Sequence, residues 1–145
     1  MTDAEFMAEA IKEAEIGLAE GGIPIGSVLV RAGRIIGRGH NRRVQHGDQT
    51  AHAEIECLRN AGRQRTLRDT VLYSTLMPCY LCSGATVQFG IPRVVAGESR
   101  TFAGGRAFLE SHGVEVLDLD DPRCVRMMEE FIAARPELWA EDIGD

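Results

Sequence analysis

Hydrophobic positions along the first twenty residues fall near helical spacing: Phe6, Ala10, Ile11, Ala14 and the run Ile16-Gly17-Leu18 are separated by Glu and Lys. This predicts an amphipathic helix over 2–20, stopped by Gly21-Gly22. Residues 25–30 and 34–39 are β-rich runs parted by Ala32-Gly33, the pattern of a tight hairpin. The polar stretch 42–49 predicts a loop. A second helix is expected to start beside His52, with Thr50 as its cap, and to end near Gly62. Residues 71–76 read as a strand, and Pro78 suits the first position of a helix that carries Cys79 and Cys82 in its opening turn and ends at Gly90. A strand at 94–96, a short helix at 106–111 and a strand at 114–119 follow. Pro122 opens a helix to about Ala134, striped by Val125, Met128, Phe131 and Ile132, and Pro136 marks the exit into the tail.

A hairpin followed by strands alternating with helices implies an α/β fold, one sheet covered by helices on both faces. The hairpin should be antiparallel, and strands joined through helices should run parallel by right-handed crossovers. At 145 residues, 44% apolar and 26% charged, the chain can bury a full core as one domain, 1–145, without staples. No repeat, low-complexity tract or interdomain linker interrupts it. A net charge of −6 argues against general attraction to a phosphate backbone, so nucleic acid is not the expected partner. No apolar run is long enough for a bilayer, and the acidic opening Met1-Thr2-Asp3-Ala4-Glu5 is not a leader. Four cysteines, two of them needed as thiolates, suit a reducing compartment, so no membrane association and a cytoplasmic location are expected.

Two short stretches carry the chemistry: Thr50-Ala51-His52-Ala53-Glu54-Ile55 and Met77-Pro78-Cys79-Tyr80-Leu81-Cys82. One imidazole and two thiolates bind zinc tetrahedrally, and three protein ligands leave the fourth position open, as catalysis requires. Cys79 and Cys82 lie one turn apart at a helix start, whose partial positive charge favours thiolate over thiol. Glu54 is too close to His52 in the chain to be an easy further ligand. It can instead exchange protons with a metal-bound water. A Cys-x-x-Cys alone also fits a redox pair or half a structural zinc site. Cys57 and Cys124 supply no second such pair to close a four-ligand site, and they read as small core residues.

The His52-Ala53-Glu54 and Pro78-Cys79-x-x-Cys82 motifs match the signature of zinc-dependent nucleobase deaminases. The chain resembles the cytidine and deoxycytidylate deaminase superfamily, and within it the small fungal-type cytosine deaminases. The likeness also covers Gly21-Gly22-Ile23-Pro24-Ile25-Gly26, Gly37-Arg38-Gly39-His40-Asn41, Gly90-Ile91-Pro92-Arg93 and the stretch from Glu137 to Asp145. It implies a five-stranded mixed sheet in a three-layer α/β/α sandwich, one catalytic Zn2+ per chain at the strand ends, and a homodimer. It further implies Asn41, Phe102, Trp139 and Asp142 as substrate contacts, Ile25 as an apolar wall, and residues 136–145 as an active-site lid. The implied reaction is hydrolytic deamination of a free nucleobase, cytosine to uracil and ammonia.

Rival readings are a tRNA adenosine deaminase, which shares both motifs, a deaminase of guanine, creatinine or another small amino-heterocycle, and a zinc-stabilised module without activity. Met77 departs from the family pattern, where Glu or Ser commonly precedes the Pro, and this bears on selectivity. His40, His46 and His112 lack partners at ligand spacing. Arg59, Arg63, Arg65 and Arg68 read as a solvated face.

Overall fold

A computed structural model describes residues 1–145. The first helix, α1 (Asp3–Ala19), opens with a capping box in which Thr2 and Glu5 satisfy each other's backbone N–H groups. Strands β1 (Gly26–Arg31) and β2 (Arg34–His40) form the antiparallel hairpin expected at Ala32-Gly33. Both turn residues have positive φ, 50° and 76°, the twist that a two-residue hairpin loop requires. The chain continues through α2 (Arg43–His46), α3 (Ala53–Ala61), β3 (Thr70–Ser74), α4 (Tyr80–Gln88), β4 (Arg93–Ala96), α5 (Arg106–Ser111), β5 (Glu115–Asp118), α6 (Pro122–Ala134) and α7 (Pro136–Ile143).

The strands make one mixed sheet in the order β2-β1-β3-β4-β5. β1 is antiparallel to both its neighbours, while β3, β4 and β5 run parallel. Alternation along the strands feeds two cores. Val28, Val30, Tyr73 and Val95 point to one face, against Phe6, Met7 and Ala10 of α1 and Cys124 of α6. Leu29, Leu72 and Val94 point to the other, against Cys57 of α3 and Leu109 of α5. A third cluster lies at one end of the sheet, where Ile25 and Leu76 leave their strands and meet Met128 and Phe131 of α6 and Trp139 of α7. The expected three layers and five strands are present, and Cys57 and Cys124 are fully buried core residues. No helix is long and apolar enough to cross a membrane.

Three local expectations are corrected. Residues 42–49 are not loop throughout, because the Asn41 side-chain Oδ1 accepts the Arg43 N–H at 3.0 Å and starts the single turn of α2, which Gly47 ends in left-handed conformation. Thr50 does not cap α3. Its hydroxyl and N–H both turn back to Asp48, and His52 itself is the N-cap. Likewise Pro78 precedes α4 rather than opening it, since its carbonyl accepts the Gly105 N–H at 2.7 Å, and Cys79 becomes the N-cap.

Two glycines separate packing from propensity. A Cβ at Gly26 would stand 2.0 Å from the Ala10 carbonyl oxygen on α1, so β1 and α1 would have to part. Gly84, inside α4, has nothing within 4 Å of such a carbon. Urea unfolding of Gly26→Ala should show a loss of about 3 kcal/mol or more, at or beyond the upper end of overpacking costs. Gly84→Ala should gain up to about 1 kcal/mol from helix propensity.

Candidate active site

The two ligand-bearing segments meet because α3 lies unusually close to the hairpin. A Cβ at Gly39 would be 2.6 Å from the Cys57 nitrogen, and one at Gly37 would be 2.7 Å from the Cys57 carbonyl oxygen, so only bare backbone permits this contact. It brings the N-terminus of α3, with His52 and Glu54, to the sheet end from which β3 delivers Cys79. As N-cap and third residue, Cys79 and Cys82 stay on one side of α4.

The donor atoms of His52, Cys79 and Cys82 all lie within 4.8 Å of one another. Cys79 Sγ is 3.4 Å from His52 Nδ1. A tetrahedral zinc with ordinary bond lengths sets sulfur and nitrogen ligands about 3.6 Å apart, so the spacing fits. Nδ1 is therefore the ring nitrogen offered to a metal. Nε2 faces Asp142 Oδ1 at 4.0 Å, beyond hydrogen-bond range.

The electrostatics fit a dication as well. The Cys82 thiol pulls the Cys79 thiol down to about 4; burial opposes this and His52 assists. Cys82 is pushed well above the ordinary thiol value by Cys79 and by burial. Burial works against a charged His52, yet Cys79, Glu54 and Asp142 prevail and lift the ring to about 9. Burial raises the Glu54 carboxyl to about 7, and the Cys79 charge adds to it. Asp142 is also raised, chiefly by burial. Two thiols and two carboxyls thus share one dry volume in which they hinder one another's ionisation, and a divalent cation is what would let such a set ionise together.

A narrow cavity of about 20 Å³ opens onto this cluster. His52, Glu54, Cys79, Asn41 and Asp142 give its polar lining, and Ile25, Phe102 and Trp139 its apolar lining. Every sequence-proposed site residue except Cys82, which is buried behind Cys79, therefore reaches one space. Asn41 Nδ2 donates to Asp142 Oδ1 at 3.3 Å, and Phe102 meets Trp139 edge-on with centroids 5.6 Å apart. Because a backbone N–H can only donate, the Arg43 bond fixes the Asn41 amide with its NH2 toward the cavity. Sequence reasoning missed Leu76, which looked like ordinary strand core, and flagged Met77 without assigning it to the lining. His40 is no ligand: it is buried with its two nitrogens 2.9 Å from Glu13 and Glu20.

A family model for the cytidine and deoxycytidylate deaminase zinc-binding region matches residues 1–98. The chain belongs to this family. The deaminase chain is 40% identical over 146 residues to the cytosine deaminase of Candida albicans, covering 99% of this chain and 97% of that one. It is 45% identical over 103 residues to a tRNA-specific adenosine deaminase of Streptococcus pyogenes, covering 69% of this chain and 65% of the other. A structure solved in work on A-to-I editing by tRNA:A34 deaminases matches at 32% identity with a TM-score of 0.76, over 86% of this chain and 99% of that one. A guanine deaminase from Nitrosomonas europaea, 23% identical, shares the fold with a TM-score of 0.78 over 92% and 85%. The deaminase is accordingly a zinc-dependent aminohydrolase.

Elemental analysis should find about one zinc per chain, since there is one set of three ligands. Cys79→Ala and Cys82→Ala should each lose it. Stoichiometric zinc in both variants would contradict the ligand set.

Proposed function

We propose that the chain hydrolyses the amino group of a free nucleobase, converting cytosine and water to uracil and ammonia. The observation that carries this is the narrow cavity, which brings His52, Cys79, Glu54 and two residues of the C-terminal helix around one small space. The full-length likeness to the Candida albicans cytosine deaminase, which includes the tail, supports it.

His52, Cys79 and Cys82 would hold the zinc. Bound there, the ion would supply the Lewis acidity that lowers the pKa of a bound water. Glu54, buried in the cavity lining, would take a proton from the attacking water and give it to the ring nitrogen adjacent to the amino-bearing carbon. It then helps the amino group depart as ammonia. The Asn41 NH2 donates to the ring carbonyl, and the Asp142 carboxylate accepts from the exocyclic amino group. Phe102, Trp139 and Ile25 enclose the faces of the ring.

Residues 136–145 act as the lid in this reading. Up to Ile143 they form helix α7 rather than a loose tail, seated by Trp139, with Leu138 and Ile143 packed against the same cluster. Its polar latches are few and long: Asn41 to Asp142 at 3.3 Å and Arg43 to Glu141 at 3.2 Å. A cavity of about 20 Å³ has room for little more than one water, so substrate entry displaces this helix. Closure over the base leaves no space for a ribose.

A second reading, deamination of adenosine in tRNA, is favoured by the Streptococcus pyogenes likeness and by a groove lined by Arg59, Arg63 and Arg65. The acidic charge and the closed tail weigh against it. A homodimer forms part of the proposal, supported by the exposed apolar side chains Tyr80, Leu81 and Phe89 on or just beyond α4 and Phe108 on α5. Thiolate ligands suit a reducing, cytoplasmic setting.

The test is ammonia release from cytosine, cytidine and an anticodon stem-loop. Cytosine alone should turn over efficiently, and Glu54→Gln should keep zinc while losing at least roughly a hundredfold in turnover. Cytidine deaminated as fast as cytosine, preference for the stem-loop, or near-normal turnover by the zinc-loaded variant would each sink part of the proposal.

A further inference from the structure

Met77 is almost wholly buried and lines the active-site cavity, yet the mechanism above gives it no task. Its place across the sheet is informative. Asn41 follows β2, Ile25 precedes β1 and Met77 follows β3, and these strands are neighbours in that order. With strands about 4.8 Å apart, the ends of β2 and β3 from which Asn41 and Met77 continue stand roughly 10 Å from each other, with Ile25 entering β1 between them.

The Met77 side chain is also backed from behind. The loop from Glu98 to Gly105 crosses it, and a Cβ on Gly104 would lie 2.9 Å from Met77 Cγ and 2.6 Å from the Pro78 carbonyl oxygen. Gly104 has φ of 62°, so the close approach and the backbone conformation both need glycine. The loop is pinned in turn: the Met77 N–H donates to the Glu98 carbonyl at 2.9 Å, and the buried Glu98 carboxylate accepts the Thr101 N–H at 3.0 Å and the Thr101 hydroxyl. Met77 therefore cannot retreat unless the Phe102 loop moves with it.

In a cytosine ring the carbonyl carbon and C5 are at opposite corners, and C5 adjoins the carbon that loses its amino group. If Asn41 takes the carbonyl, C5 points across the cavity. We propose that Met77 is a specificity-determining residue that closes the cavity against substituents at C5, so that the site takes pyrimidines bearing hydrogen there and rejects those bearing a methyl or larger group. This rests on the cytosine reading and sharpens its substrate class.

Two measurements test it on the zinc-loaded chain. The first is kcat/KM for 5-methylcytosine relative to cytosine. Met77→Ala should raise that ratio at least about tenfold, the lower range for one methylene in an apolar pocket, while Met77→Leu, which conserves volume, should leave it within about threefold. The second needs no turnover, because Trp139 is the chain's single tryptophan and lines the cavity. Its fluorescence should report wild-type binding of uracil at least about tenfold tighter than thymine, with the gap closed in Met77→Ala. If Met77→Ala does not fold, Met77→Val should move both readouts in the same direction. Equal uracil and thymine binding by the wild type, or a variant that slows both substrates alike, would overturn the assignment and leave Met77 as packing. Absence of ammonia release from cytosine by the wild type would instead overturn the reading beneath it.

Discussion

Everything at this site depends on the meeting of two helix N-termini, those of α3 and α4, at one end of the sheet. His52 and Cys79 each occupy an N-cap, so each side chain leaves the helix just where unpaired N–H groups create positive potential. The donors can meet only because β3 lies beside β1 in the sheet and the bare backbone of Gly37 and Gly39 lets α3 settle on the hairpin. The constraint is steric before it is electrostatic. A side chain at either glycine would push His52 and Glu54 away from the cysteines.

Burial then sets the chemistry. Removing Glu54 from water raises its carboxyl to about 7, which suits the proton exchange proposed for it. The same dryness makes an uncompensated set of thiolates and carboxylates costly, and this ties the site to a cation. Trp139 of α7, packed with Ile25, Leu76 and Phe102, supplies the apolar side of the same space.

The sequence made much of this legible because the chemistry sits in short local patterns. The spacing of His52, Glu54, Cys79 and Cys82 needs no long-range information, and the strands and major helices follow from apolar periodicity. Element starts were less readable. Thr50 and Pro78 have the right chemistry for helix entry, but Asp48 and Gly105 claim them through contacts that spacing does not encode. The turn of α2 was hidden in a polar stretch because the Asn41 side chain, rather than periodicity, starts it. Leu76 was illegible for a related reason: an apolar residue at a strand end reads as core until the cavity beside it is seen. The proposed substrate contacts at Asn41, Phe102, Trp139 and Asp142 rest on family likeness, since residues spread over a hundred positions leave no local signal.

The central claim is an open zinc centre with one nitrogen and two sulfur ligands from the chain. X-ray absorption at the zinc edge of the loaded protein tests this most directly. The account predicts two sulfur scatterers at about 2.3 Å and two light atoms at about 2.0–2.1 Å, one from His52 and one from solvent. A sphere with three or more sulfurs, or with only one, would contradict it.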